Sequence, residues 1–178
     1  IGWQTIETKQ NITIDTSTPS ITSVQDQGVT TISDILYANW SAALSADFSH
    51  YEYSVGTTKY PTAGYNNIVN WTNIGTATNV TTAELDLSYG TIYYFSVKAL
   101  DIYGNFGYAS SNGIILEDNS TPTFNSLTAN NGNYWTNSAS TLSAWWNFTD
   151  TETGISGYEY TIGTEKYPTT GWNNIVEP

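Results

Sequence analysis

Cysteine, methionine and arginine are absent from the 178-residue sequence, histidine occurs once and lysine four times. Without cysteine there is no disulfide, no thiol nucleophile and no thiolate-bound zinc. A single histidine, His50, removes multi-histidine metal centres and a Ser-His-Asp relay repeated along the chain. Four cations against 16 Asp and Glu leave a net charge of −12, so the clustered Lys and Arg that displace counterions from nucleic acid are missing, and nucleic acid is excluded as a partner. No stretch reaches the roughly 18–20 apolar residues of a membrane helix, so no membrane insertion is expected within this segment, and no basic start followed by an apolar run marks a leader. Lacking an initiator methionine, the sequence is expected to be a processed chain or a window from a longer one.

Aromatic residues are plentiful, at 15% against 11% charged residues, which is too aromatic and too weakly charged for a disordered acidic tail. Ser and Thr number 47, and Gly, Asn, Asp and Pro recur at short intervals, the punctuation of many short strands. Alternation supports this. Leu36, Ala38 and Trp40 share one face with Tyr37 and Asn39 on the other; Tyr93, Phe95, Val97 and Ala99 form a second inward set. In 83–87, Ala83, Leu85 and Leu87 alternate with outward Glu84 and Asp86, which predicts a strand there with Asn79 in the turn before it. One buried and one wet face per strand is the mark of antiparallel sheets in a sandwich.

The chain repeats itself. Asp15-Thr-Ser-Thr-Pro returns as Asp118-Asn-Ser-Thr-Pro, Leu36-x-Ala-x-Trp40 returns as Leu142-x-Ala-x-Trp146, and 51–69 returns as 158–176 with 14 of 19 positions identical. The unit is about 103 residues long, which suits one β-sandwich. On this reading residues 1–14 are the last strand of a preceding repeat, 15–117 a complete domain, and 118–178 the N-terminal half of a following repeat. The expected source is a longer tandem array.

These motifs resemble the fibronectin type III superfamily of immunoglobulin-like sandwiches, in the divergent form found in large secreted prokaryotic surface proteins. The likeness is carried by Trp40, Tyr51-Glu-Tyr-Ser-Val-Gly-Thr57, Trp71, Leu87-x-x-Gly90-Thr91-x-Tyr93-x-Phe95-x-Val97-x-Ala99, Asp101-x-x-Gly104-Asn105 and Ser110-Ser111-x-Gly113-Ile114. It implies an all-β fold of tandem antiparallel sandwiches, Trp40 central in the core, and Tyr93 as the tyrosine that bonds back to nearby backbone. It does not by itself imply a function.

The loop between Gly56 and Val69 is long and aromatic for a plain spacer. Tyr60, Tyr65 and Trp71 beside Asn66 and Asn67, repeated as Tyr167 and Trp172, could stack and hydrogen-bond a sugar in a glycan-binding loop spanning 59–71 of each repeat. The competing reading is that the same rings cap the end of the sandwich. Asp15, Asp101, Glu117 and Asp118 are oxygen donors near the repeat junctions, where Ca²⁺ could bind, although solvated turn acids explain them as well. No other cofactor is implied. Asn11, Asn39, Asn70, Asn79, Asn119 and Asn147 begin N-x-Ser/Thr sequons. No catalytic residue emerges. His50 is replaced by a different residue in the second copy, and Glu84 and Asp86 lie two apart on a wet face with no opposing carboxylate. The expectation is a non-enzymatic, extracellular structural or adhesive repeat that contacts neighbouring repeats and self-associates into fibres or surface layers, with glycan binding as the alternative.

Overall fold

A computed structural model describes residues 14–166, and the chain divides between Glu117 and Asp118 into two compact units. In unit 1, alternating β-branched and aromatic residues form nine strands: β1 (Val24–Asp26), β2 (Val29–Thr30), β3 (Leu36–Trp40), β4 (Phe48–Gly56), β5 (Val69–Asn73), β6 (Asn79–Thr82), β7 (Ile92–Asp101), β8 (Phe106–Ser110) and β9 (Ile114–Leu116). They build two sheets, β1-β3-β6 and β2-β9-β7-β4-β5, with β8 also paired to β7. The unit is an all-β sandwich, as its period-two patterning requires.

The core lies between the sheets. Leu36, Ala38 and Trp40 of the small sheet meet Tyr51, Tyr53 and Val55 of β4, Tyr93, Phe95, Val97 and Ala99 of β7, and Ile114 and Leu116 of β9. Trp40 meets the Tyr51 ring edge-to-face at 5.7 Å. The Tyr51 hydroxyl is not wasted, since it accepts the Ala43 N–H at 2.6 Å. Tyr93 reaches back to accept the Ser88 N–H at 2.8 Å, which ties the loop before β7 to its first core residue.

The chain crosses between sheets at Asp26. Its carboxylate accepts the Gly28 N–H at 3.0 Å and the Gly113 N–H at 2.8 Å, so β2 is set parallel to β9 with Val29 opposite Ile115. β8 and β9 are one edge interrupted at Ser111, whose N–H donates to the Phe95 carbonyl while its hydroxyl accepts the Phe95 N–H. One buried serine thus satisfies both backbone groups of Phe95 across the break.

Two local expectations need correction. Residues 83–87 form no strand, because Glu84 adopts a left-handed φ of 58° that breaks the extended run. Ala83 is exposed, so the inward set is cut to its second half: Leu85 and Leu87 donate their N–H groups to the Asp34 and Ser33 carbonyls, Leu85 is half-buried and Leu87 is buried. Asn79 is the first residue of β6, opposite Asn39, not part of a turn.

Unit 2 contains β10 (Thr123–Ala129), a short 3₁₀ turn (Asn130–Gly132) and β11 (Ala144–Thr149). The two strands pair antiparallel with Leu127 opposite Trp146. Subtracting the repeat offsets, this is the Val24↔Trp40 pairing of β1 with β3. Residues 1–14 fall almost entirely outside the described residues, so the strand expected there is not described. No helix among the described residues is long and apolar enough to cross a membrane.

Candidate functional site

The loop from Gly56 to Val69 is built to hold itself. The Thr57 N–H donates to both the Gly64 carbonyl and the Asn67 side-chain oxygen. The Asn67 amide returns a bond to the Thr57 hydroxyl at 3.1 Å, the Thr58 hydroxyl donates to the Ala63 carbonyl at 2.5 Å, and the Asn66 amide donates to the Asn70 side chain at 3.1 Å. Closure is tight: a Cβ on Gly56 would lie 2.0 Å from the Gly64 carbonyl oxygen. The amides read from sequence as sugar ligands therefore bond the loop's own backbone and side chains.

The aromatic residues also turn inward on one another. Tyr60 packs edge-on against Tyr65, Trp71 and Tyr108 at centroid distances of 5.0, 5.4 and 4.8 Å, and Tyr65 lies 5.6 Å from Trp71. Against this cluster lies Lys98 of β7, its ammonium 4.0 Å from the Trp71 ring centre, 4.8 Å from Phe106 and 5.0 Å from Tyr60. Lys59 lies over Tyr94 at 5.2 Å. The outer face of the larger sheet is thus an aromatic cluster around a lysine, held by cation–π attraction, with Phe106 and Tyr108 still exposed. The Tyr60 N–H anchors the loop to this face through the Ser96 hydroxyl. Tyr60, Tyr65 and Trp71, named from the sequence as sugar ligands, meet one another here, and Lys98, Phe106 and Tyr108 join them without having been named. The signal for Lys98 was present, since it is the outward neighbour of inward Val97 and Ala99. Tyr167 and Trp172 lie outside the described residues.

The acidic residues form two clusters, one in each unit, of which Asp15 and Asp118 are the members that correspond in the repeat. In unit 1, carboxylate oxygens of Asp15, Asp47 and Asp101 come within 4.8 Å of one another; in unit 2 those of Asp118, Asp150 and Glu152 do the same. Asp15 accepts both the N–H and the hydroxyl of Ser17, and Asp118 accepts both from Ser120, so the Asp-x-Ser motif makes the same turn twice. Asp101 is buried at the base of the β7–β8 turn. Burial pushes its carboxyl up, but bonds from the Asn105 side chain and the Tyr103, Asn105 and Gly104 backbone outweigh this and hold it below the ordinary carboxylate value. Ser17 lowers Asp15 in the same sense, and the Thr153 and Ser120 hydroxyls lower Asp118. Both Asp101 oxygens already accept N–H groups, which is the work of a turn carboxylate. Glu117 stands apart: it is exposed and belongs to neither cluster.

Asn70, Asn79, Asn119 and Asn147 are exposed and Asn39 is half-buried on the outer side of β3; Asn11 lies outside the described residues. His50 pairs weakly with Glu52 at 3.9 Å and touches the Ser49 hydroxyl.

No family model matches the sequence. It is 31% identical over 160 residues to Chitinase A1 of Niallia circulans, an alignment that covers 85% of this chain. The chain spans about a fifth of the length of that curated relative, the alignment covering 20% of it. Because the aligned 160 residues exceed one 103-residue unit, the likeness runs through both units.

Proposed function

We propose that this chain is a run of fibronectin type III-like sandwiches serving as a non-enzymatic, extracellular structural or adhesive link in a longer protein, each repeat contacting its neighbours and the array able to self-associate. The observation that carries the reading is the duplicated build. Val24↔Trp40 and Leu127↔Trp146 share one register, and Asp15 and Asp118 make one turn. A building block used twice in series fits a spacer better than a site that must be assembled once. Further support comes from the Tyr93 bond to Ser88 and from β5 lying beside β4 in the larger sheet. The self-bonded loop of unit 1 also favours a link over a receptor. An antibody against the chain, applied to fractions of the organism that makes it, should detect a species far above 19.6 kDa at the cell surface or in the medium. A 19.6 kDa band in the cytosol would contradict the proposal.

A second reading is favoured by the likeness to a protein named Chitinase A1: a glycan-binding accessory module using the aromatic face of unit 1. Retention on insoluble chitin that is lost on Tyr60→Ala with Tyr65→Ala would support it. Equal passage through chitin, cellulose and bare resin would exclude it.

A further inference from the structure

The sequence holds two Asn-Gly pairs, Asn112-Gly113 and Asn131-Gly132, and the fold treats them in opposite ways. An asparagine before glycine is open to attack by its own backbone, because the glycine brings no side chain to hinder the approach of its nitrogen. Exposure does not separate the two pairs, since Asn112 and Asn131 are both exposed. The amide that has to attack does.

Gly113 leads into β9 and is held in place. Its N–H donates to the Asp26 carboxylate at 2.8 Å, and a Cβ on it would lie 2.8 Å from the Ile92 and Tyr94 side chains. Turning its nitrogen toward the Asn112 side chain therefore breaks the bond to Asp26 and disturbs a packed strand, which happens only in molecules that open locally. Gly132 has neither constraint. A Cβ there would meet nothing within 4 Å, Gly132 is as exposed as Asn131, and the Asn133 N–H closes the turn on the Asn130 carbonyl at 3.0 Å. Strain points the same way. Asn131 takes the place of Gly28 in the repeat, and both are left-handed, with φ of 55° and 76°, a conformation that glycine adopts freely and a residue with a Cβ adopts at a cost.

We propose that Asn131 is a site of spontaneous covalent modification, converting to aspartate and isoaspartate in the folded protein while Asn112 is preserved. The Gly132 nitrogen bonds to Asn131 Cγ, the Cγ–Nδ2 bond breaks, and ammonia leaves with the former Gly132 amide proton, which leaves a succinimide ring. Water then opens the ring. Cleavage between Cγ and the Gly132 nitrogen gives aspartate; cleavage between the Asn131 main-chain carbonyl carbon and that nitrogen gives isoaspartate, with the chain running through Cγ. Either product adds a carboxylate to a chain of net charge −12. The second also inserts a methylene into the backbone of the turn in which the Asn130 N–H and side-chain amide bond the Ser143 and Trp135 carbonyls. The turn after β10 thus records the age of a molecule as added charge and a lengthened backbone, whatever role the repeat plays.

The test incubates the whole chain in warm, mildly alkaline buffer, folded and in parallel in concentrated urea. Chymotryptic peptides around each Asn-Gly pair are followed by mass spectrometry for the gain that accompanies exchange of an amide for an acid, and by an isoaspartate-specific methyltransferase. In the folded chain Asn131 is expected to convert about tenfold or more faster than Asn112, because only the latter waits for local opening. In urea the two rates should come together. The Asn131→Gly chain, which carries the residue of unit 1 at this place, should show no conversion there and no loss of melting temperature. Equal rates at the two sites in the folded chain would overturn the proposal, as would an Asn131 that stays intact when folded and converts in urea. A mass gain that persists in the Asn131→Gly chain would also overturn it, by moving the reaction to a neighbouring asparagine.

Discussion

Removing one oxygen from Tyr93 should destabilise unit 1 by about 0.5–1.5 kcal/mol, because Tyr93→Phe keeps the buried ring and leaves the Ser88 N–H without its acceptor. A urea midpoint that falls at constant slope would show this, and an unchanged midpoint would assign the corner no weight. Asp101 makes a pH-dependent contribution of definite sign. Its folded value is lowered, so its contribution is full above the ordinary carboxylate range and is lost as pH falls through the folded value. Unit 1 should lose stability below about pH 4, and Asp101→Asn should flatten that part of the profile while lowering stability at neutral pH. A variant as acid-sensitive as the parent would refute the assignment. At Lys98, replacement by Met keeps the stem and removes the charge from the Trp71, Phe106 and Tyr60 rings. The expected loss is about 0.5–2 kcal/mol, read as a drop in melting temperature. None of these roles required a rare residue. The role of Tyr93 was legible through the resemblance to fibronectin type III repeats, whereas the role of Lys98 depended on rings brought in by β5, β8 and a loop, which no spacing along one strand reveals.

Strands that carry a clean two-residue period were legible in the sequence. Leu36–Trp40 and Tyr93–Ala99 bury the sides their alternation predicts. Residues 83–87 have the same alternation but no strand, because edge pairing is decided by what lies alongside and Glu84 turns the backbone away. Pattern states which side of a strand is apolar; the ladder needs a partner. The β4–β5 loop has its own test. Gly56→Ala places a Cβ 2.0 Å from the Gly64 carbonyl oxygen, so the loop must shift, with an expected cost of about 1–3 kcal/mol. Release of the Tyr60–Trp71 contact should show as a change in near-ultraviolet circular dichroism. A variant with parental stability and spectrum would mean that the closure is loose.

At the scale of the whole molecule, the repeat was the most legible feature, since 51–69 and 158–176 agree at 14 of 19 positions. Unit 1 closes a core of buried residues from both sheets, and the described residues of unit 2 hold the β10–β11 ladder in the register of β1 with β3. The acidic clusters were half legible, since Asp15, Asp101 and Asp118 were identified while Asp47, Asp150 and Glu152 join them only through the fold. The most direct test is native-state amide exchange on the whole chain, comparing the β1–β3 ladder with the β10–β11 ladder. The account predicts one register in both, with slowed exchange across Val24–Asp26 and Leu36–Trp40 and again across Thr123–Ala129 and Ala144–Thr149. Open-chain exchange along Thr123–Ala129 and Ala144–Thr149 beside a protected β1–β3 pair would contradict the account, because it would mean that the build is not duplicated.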